Sequence, residues 1–171
     1  LFDRNYLPLG LSLYDSLMKH CDAFTLYVVS IDKESNDTLL AMGRKNLVVL
    51  NLVDYETKEL LAAKGNRTFG EYCWTLTPFV FDFVFQAYKE VELLTYLDAD
   101  LFFISSPQKL VEEFSRSKYS ALITPHYYSP IFDLSDLTGK YCVQFVGLKK
   151  SNTEIRKKWQ GQCLEWCYNR I

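Results

Sequence analysis

The sequence has little of several features that mark particular classes of protein. No apolar run approaches the roughly 20 residues that a membrane-spanning helix needs, and the longest one, Pro78 to Phe85, is interrupted by Asp82. The net charge is −2 and no basic block stands out, which argues against a nucleic-acid partner. The first residues carry no signal-peptide pattern. We therefore predict no transmembrane segment and no nucleic-acid partner.

Histidine is scarce and the number of cysteines is odd. The chain has 2 histidines and 5 cysteines, and although Cys163 and Cys167 would share one helix face, a zinc site needs more ligands. Reduced thiols are the expectation, and they favour a reducing compartment, so we expect a cytoplasmic protein. The chain begins with Leu1 rather than Met. Residues that precede Leu1 in the whole protein therefore remain an alternative, and so does a location in the Golgi lumen. The glycosylation sequons Asn36–Thr38 and Asn66–Thr68 would suit that location.

What is present suits one globular domain. The chain has 171 residues, of which 49% are hydrophobic and 16% aromatic, enough for a substantial core. No internal repeat, low-complexity tract or linker rich in Pro, Gly and Ser divides it. We predict a single domain over residues 1–171, truncated at one or both ends.

Helix-type and strand-type segments alternate along the chain. The predicted helices are Leu7–His20, Lys33–Met42, Leu52–Lys64, Tyr72–Tyr88 with a bend at Pro78, Pro107–Phe114 and Asn152–Tyr168. The predicted strands are Phe24–Ile31, Leu47–Leu50, Leu93–Leu97, Tyr119–Thr124 and Tyr141–Leu148, with a further extended segment at Phe102–Ile104. This alternation predicts an α/β sandwich with a central, mostly parallel sheet.

Two aspartates follow the apolar strand Leu93–Leu97 directly. In extended chain, Asp98 and Asp100 point to one side, about 7 Å apart. The negative charge of carboxylates beside a buried strand is costly unless a positive charge compensates it. Mg²⁺ or Mn²⁺, bound by one or two carboxylates and a diphosphate, would supply that positive charge. Ligands of α/β sheets also collect beyond the carboxyl ends of strands. A metal–diphosphate site and a simple capping role both remain open at this point.

Two stretches resemble one enzyme family. The segment YLDADLFFISSP is similar to the metal-binding segment of nucleotide-sugar glycosyltransferases with the Rossmann-like GT-A fold, closest to the family 8-like group of glycogenins and bacterial galactosyltransferases. The segment FDRNYLPLGLSLYDSL resembles that family's first loop and helix. The two matches stand in the family's usual order and separation, and the strand order extends the resemblance over the whole chain.

The resemblance implies a donor site and a reaction. Asp3 and Asn5 would meet the base or ribose, the backbone of Ala99 would lie beside the ribose, and Asp98 and Asp100 would bind Mn²⁺ (or Mg²⁺). The donor would be a nucleoside diphosphate sugar, and a UDP-sugar is the first candidate. A hexose would be transferred to an unknown acceptor with retention of configuration at the anomeric carbon. Without the resemblance, Asp3 and Asn5 would be read as turn residues.

The chain departs from the family pattern in three places. Trp74 stands where the family's Tyr-x-Arg has its arginine, and Trp supplies no bidentate cation. Gln144 opens a looser version of the family's Asn-x-Gly but keeps an amide, which makes it a further donor-side candidate. Neither His20 nor His126 stands where the family has its third metal ligand, so that histidine would lie beyond Ile171.

Weaker candidates and rival functions also follow from the residues. Tyr127, Tyr128 and Asp133 could lie on the acceptor side, although a surface loop is the default there. Asp82 is expected on a solvated helix face rather than in a cleft, and Glu71 is expected to be a favourable first-turn charge. The rival functions are a non-catalytic nucleotide-sugar binding module and a phosphatase of the haloacid dehalogenase type, in which the first aspartate of Asp-x-Asp attacks phosphate.

Overall fold

In the computed structural model, which describes residues 1–167, helices and strands alternate and the chain is α/β. The helices of these residues are Leu7–His20 (α1), Lys33–Met42 (α2), Lys58–Lys64 (α3), Phe69–Leu76 (α4), Phe79–Ala87 (α5), Gln108–Arg116 (α6), Ser135–Thr138 (α7) and Thr153–Trp166 (α8), with a 3-10 turn at Leu52–Asp54. The strands are Leu26–Ser30 (β1), Leu47–Asn51 (β2), Leu93–Leu97 (β3), Ala121–Pro125 (β4) and Tyr141–Lys149 (β5). Of the final predicted helix, Tyr168 lies outside the described residues.

Helix α2 begins and ends where the sequence predicts, because local chemistry fixes both ends. The carboxylate of Asp32 accepts a hydrogen bond from the Ser35 N–H, which satisfies one of the free donors of the first turn. At the other end Gly43 takes a left-handed conformation (φ 52°), which glycine adopts without a Cβ clash.

Two predicted helices are each divided into shorter elements. The expected helix Tyr72–Tyr88 is two helices, α4 and α5, with Pro78 as the N-cap of α5, because proline has no N–H and its ring clashes with the preceding turn. The expected helix Leu52–Lys64 is a 3-10 turn followed by α3, whose first turn is capped by the Thr57 hydroxyl. Helix α4 instead begins earlier than predicted, at a capping box of Thr68 and Glu71.

The strands form two small sheets rather than the single, mostly parallel sheet that the sequence predicts. Strands β1 and β2 are parallel, with Leu26 opposite Leu47. Strand β5 lies between β3 and β4 and is antiparallel to both. Within residues 1–167, β1 and β2 are thus the one parallel pair. The difference arises because β5 enters between β3 and β4, which the spacing of strands along a sequence does not reveal. The predicted extended segment Phe102–Ile104 belongs to neither sheet.

The core of the part of the chain that the structure describes contains three apolar clusters. One lies where α3, α4 and α5 meet β1 and β2, and contains Val29, Leu50, Leu52, Leu60, Tyr72, Leu76, Phe83 and Val84. A second joins α5 to β5 through Phe81, Phe85, Val146 and Leu148. The third consists of Phe2, Val28, Leu39 and Ala99. The third cluster positions the candidate site, because it ties the first residues of the chain to β1 and to the turn that follows β3.

The structure places the side chain of Asp82 largely away from solvent, contrary to the prediction of a solvated helix face. Its side chain is 13% exposed and lies between α5 and α8, where Arg156 Nε donates to it at 2.7 Å and Gln160 Nε2 at 2.8 Å. Arg156 also donates to the backbone carbonyl oxygen of Lys150 at 2.7 Å. The predicted solvated helix face is therefore wrong, and Asp82 joins α5 to α8 within the interior.

Two negative observations concern the membrane and the thiols. Among the helices of residues 1–167, none combines the length and the apolar character needed to cross a bilayer. The cysteines, all of which lie within the described residues, form no disulfide bond with one another there. Reduced thiols in solution stay a prediction, and thiol titration of the unfolded, unreduced protein checks it by finding all 5 cysteines of the sequence.

Candidate functional site

Asp98 stands at the carboxyl end of β3, where the strand gives way to a turn. The pairing of β3 with β5 ends at Leu97 and Phe145, and the Asp98 N–H continues it by donating to the Gln144 carbonyl oxygen at 3.1 Å. The Asp98 carbonyl oxygen then accepts from the Leu101 N–H at 3.2 Å, which closes the turn. Gln144 therefore lies directly across from Asp98, with an exposed side chain.

The two aspartates differ in environment. Asp98 is partly buried and Asp100 is exposed. Burial raises the pKa of Asp98 above its ordinary value, and the nearby charge of Asp100 raises it further, while a hydrogen bond from the Tyr96 hydroxyl (2.9 Å to Oδ1) opposes the rise. Ionised Asp98 is thus held at a free-energy cost that a bound cation would relieve. The donor set, two carboxylates with one oriented by Tyr96, fits a hard divalent ion.

The polar groups of the Asp3–Asn5 loop form hydrogen bonds within the loop and with the residue that follows it. Asp3 Oδ1 accepts from the N–H groups of Asn5 (3.0 Å) and Tyr6 (3.2 Å), and Asp3 Oδ2 accepts from Asn5 Nδ2 (2.8 Å). This is the turn chemistry that the residue types alone suggest. It leaves Asp3 buried and Asn5 exposed just before α1, so Asn5 is the more accessible member of the pair.

The two motifs meet although they are far apart in the sequence. Phe2 packs in one cluster with Ala99, and the Phe2 N–H donates to the Val29 carbonyl oxygen at the end of β1. Burial raises the pKa of Cys73 to about 11 and the charge of Asp3 adds to the rise, so Cys73 on α4 lies near the Asp3 loop.

A polar cleft of about 590 Å³ opens beside the Asp3–Asn5 loop. Besides the loop, it is lined by Ile31, Asp32, Glu34, Lys64, Arg67, Thr68, Phe69 and Tyr72. Lys64 Nζ lies 2.7 Å from Glu56 Oε1, and Arg67 donates to the Thr75 hydroxyl at 2.7 Å. Both cations are therefore held in place at the wall, and half-exposed Phe69 offers an aromatic surface.

Lys64, Arg67 and Phe69 were not among the residues predicted from sequence. The signal that could have found them is the run Lys-Gly-Asn-Arg-Thr-Phe at the start of α4, because the free N–H groups of a helix N-terminus favour an anion and neighbouring cations would add to that attraction. Trp74, on the same helix, is 61% exposed and does not line the cleft. Asp98 and Asp100 also lie outside the lining of the cleft.

The remaining predicted residues are not gathered at this place. His126, Tyr128 and Asp133 belong to the loop between β4 and β5, where the rings of His126 and Tyr128 stack at 4.8 Å. Among the residues that the structure describes, no three His, Cys, Asp or Glu side chains stand together as a metal site would require. Asp98 and Asp100 would therefore need oxygen atoms of a ligand or of water to complete a coordination shell.

Comparison with known proteins identifies relatives without a stated activity. No family model matches the chain. It is 36% identical to the uncharacterized protein YfnD of Bacillus subtilis (strain 168), over 98% of this chain and 54% of that protein. It is 28% identical to the uncharacterized protein YfnF of the same organism, over 99% of this chain and 58% of that protein. The chain thus spans about half the length of these curated relatives.

Proposed function

We propose that this chain contains the donor-binding part of a metal-dependent glycosyltransferase of the GT-A fold, which passes a hexose from a nucleoside diphosphate sugar to an acceptor. A UDP-sugar is the first candidate donor. The observation that carries the proposal is that Phe2 and Ala99 belong to the same buried apolar cluster, together with Val28 and Leu39. This cluster joins the Asp-x-Asn loop to the Asp-x-Asp turn, and the family that both segments resemble uses them on one nucleotide sugar.

The direction of the strands supports the finer GT-A assignment. Phe2 lies beside Ser30 at the carboxyl end of β1, and it shares a buried cluster with Ala99, which lies just past the carboxyl end of β3. The carboxyl ends of β1 and β3 therefore meet at one edge, where ligands of α/β proteins bind. Residues of β1 and of β3 also line one cavity of about 410 Å³, so the two strands lie near each other.

The proposed chemistry is electrostatic. Asp98 and Asp100 would hold Mn²⁺ (or Mg²⁺), an ion that, when bound, neutralises the charge of the departing diphosphate. The Tyr96 hydroxyl keeps the Asp98 carboxylate oriented. Asn5 is exposed at the mouth of the polar cleft, and its amide suits the hydroxyls of a ribose or the edge of a base. Retention at the anomeric carbon is implied by the resemblance alone.

The test is release of UDP from UDP-hexoses by the full chain with Mn²⁺, compared with the same samples in chelator. We expect metal-dependent UDP release, slow with water as acceptor. Tight metal-dependent binding of UDP without any turnover would favour the binding module instead. Release of phosphate from p-nitrophenyl phosphate, with UDP-hexoses left intact, would contradict the proposal and favour the phosphatase.

A further inference from the structure

The loop between β4 and β5, residues 126–140, leaves the protein at the edge that carries Asp98. Strands β3 and β4 both run antiparallel to β5, so they run parallel to each other and their carboxyl ends lie at the same edge. β5 starts at Tyr141, opposite Pro125, and reaches Gln144, opposite Asp98, three residues later. Three residues of strand span about 10 Å. The loop therefore begins about the length of a disaccharide from the candidate metal site.

The loop carries several large apolar side chains that are exposed. Tyr127 is 87% exposed, Ile131 85%, Phe132 72% and Leu137 84%. Four such side chains within one loop, residues 126–140, are a concentration of exposed apolar surface, and surface of this kind often serves in binding.

The loop holds this arrangement through its own contacts. The His126 N–H donates to the Lys140 carbonyl oxygen at 3.1 Å and closes the base of the loop. The His126 ring stacks on Tyr128, whose hydroxyl is hydrogen-bonded to the Thr138 hydroxyl. Asp133 Oδ1 accepts from the Ser135 N–H at 2.9 Å and begins the short helix α7. The exposed rings are therefore presented by a structured loop.

Tyr127 occupies a backbone conformation that favours other residues. Its φ is +53°, in the left-handed region. Within the described residues, the other non-glycine in this region is Asn46 (φ 60°), a residue type that tolerates it. A tyrosine there is costly to the fold, and among residues 1–167 its ring, which is 87% exposed, makes no aromatic contact that would compensate. Strain of this kind clusters at functional positions.

We infer that Tyr127 is the platform of an acceptor subsite, on which a sugar ring of a saccharide acceptor stacks. This inference rests on the proposed glycosyl transfer and adds the chemical class of the acceptor. One face of a pyranose presents C–H groups, and the electron-rich face of an aromatic ring attracts them. The loop carries carboxylates at Asp133 and Asp136, which can accept hydrogen bonds from sugar hydroxyls. The apolar side chains of Ile131 and Phe132 would shield these hydrogen bonds from water.

The test is saturation-transfer NMR of the full chain with a panel of methyl hexopyranosides, using variants at Tyr127. Tyr127→Ala and Tyr127→Gly should weaken binding about tenfold, the loss expected for one aromatic stacking contact, and Tyr127→Phe should retain it. Tyr127→Gly should at the same time raise the melting temperature, because glycine relieves the left-handed conformation. A merely structural tyrosine would not lose binding while gaining stability. The matched control is Tyr119→Ala, which removes a ring that is 64% exposed just before β4, at the opposite edge.

Each outcome decides the inference. Binding that is lost in Tyr127→Ala and Tyr127→Gly but kept in Tyr119→Ala supports it. Unchanged binding in Tyr127→Ala, or no glycoside binding to the wild type, overturns it. Adsorption to neutral phosphatidylcholine vesicles that Phe132→Ser abolishes, with no glycoside binding, also overturns it and indicates a lipid surface. Thermal stabilisation by UDP with Mn²⁺, measured on the same variants, should not change, so failure of the acceptor subsite and failure of the donor site are distinguishable.

Discussion

Gly10→Ala tests the link between the first helix and the candidate site. Gly10 lies in α1 under the ring of Phe2, and a Cβ added there would stand 2.5 Å from Phe2 Cζ. Phe2 is 6% exposed and belongs to the buried cluster that contains Ala99, so either its ring must move within that cluster or the helix must shift. Overpacking of this kind costs about 1–3 kcal/mol, partly offset by the roughly 1 kcal/mol that alanine gains over glycine inside a helix.

Gly161→Ala provides the matched control. Gly161 lies inside α8, and a Cβ added there would meet nothing within 4 Å. We expect Gly161→Ala to be stabilising, and Gly10→Ala to be less stable than it by about 1–3 kcal/mol in urea unfolding. Gly10→Ala should also weaken metal-dependent UDP binding, whereas Gly161→Ala should leave it unchanged. Equal stability and equal UDP affinity of the two variants would refute the proposed coupling between Phe2 and the site.

Three further variants test the interior charge and the carboxylate site. Arg156→Ala removes the buried partner of Asp82 and leaves the more exposed Lys157, 3.2 Å away, as its remaining cation, so the variant should lose about 3 kcal/mol in urea unfolding, the lower end for a broken buried pair. Arg116→Ala, at an exposed pair, should cost under about 1 kcal/mol. Similar losses would contradict the burial of the Asp82 pair. The folded-state pKa of Asp98 is raised, so its ionised carboxylate destabilises the wild type at neutral pH, and this cost disappears as the pH falls toward 3.8. The melting temperature of Asp98→Asn should therefore exceed that of the wild type at neutral pH and equal it near pH 3.8. A difference in melting temperature that stays constant across pH would contradict the raised pKa. Tyr96→Phe removes the hydroxyl that orients Asp98 and should weaken metal-dependent UDP binding about tenfold or more in calorimetry, and an unchanged affinity would show that the hydroxyl has no such role.

The sequence predicts the local elements well where short-range chemistry decides. The helix Lys33–Met42 is bounded by a capping aspartate and a left-handed glycine, and the strand Leu93–Leu97 is an apolar run that ends at Asp98. Both have the predicted limits. Sheet topology depends instead on contacts between distant segments, so the entry of β5 between β3 and β4 was not foreseen. Asp82 shows the same limit, because its partner Arg156 lies on another helix and nothing near Asp82 in the sequence indicates it.

The candidate site was predictable only in part. The position of Asp98 at a strand end, with Gln144 nearby, agrees with the sequence pattern. The contribution of Lys64 and Phe69 to a cleft beside Asn5 required the fold, because α3 and α4 approach the first loop only in three dimensions. The roles proposed for these residues in binding a nucleotide sugar remain predictions.

The most direct test of the donor site is a calorimetric titration of UDP into the full chain, with Mn²⁺ or with chelator. The variants are Asp98→Asn and Asp100→Asn, and the control is Asp22→Asn, an exposed aspartate at the end of α1. We predict that UDP binds the wild type and the control only with Mn²⁺, and that each site variant loses at least about tenfold in affinity, or 1.4 kcal/mol. Two results would contradict a metal–diphosphate site at Asp98 and Asp100. One is an equal Mn²⁺-dependent affinity for UDP in all four proteins, and the other is an affinity for UDP that does not depend on Mn²⁺.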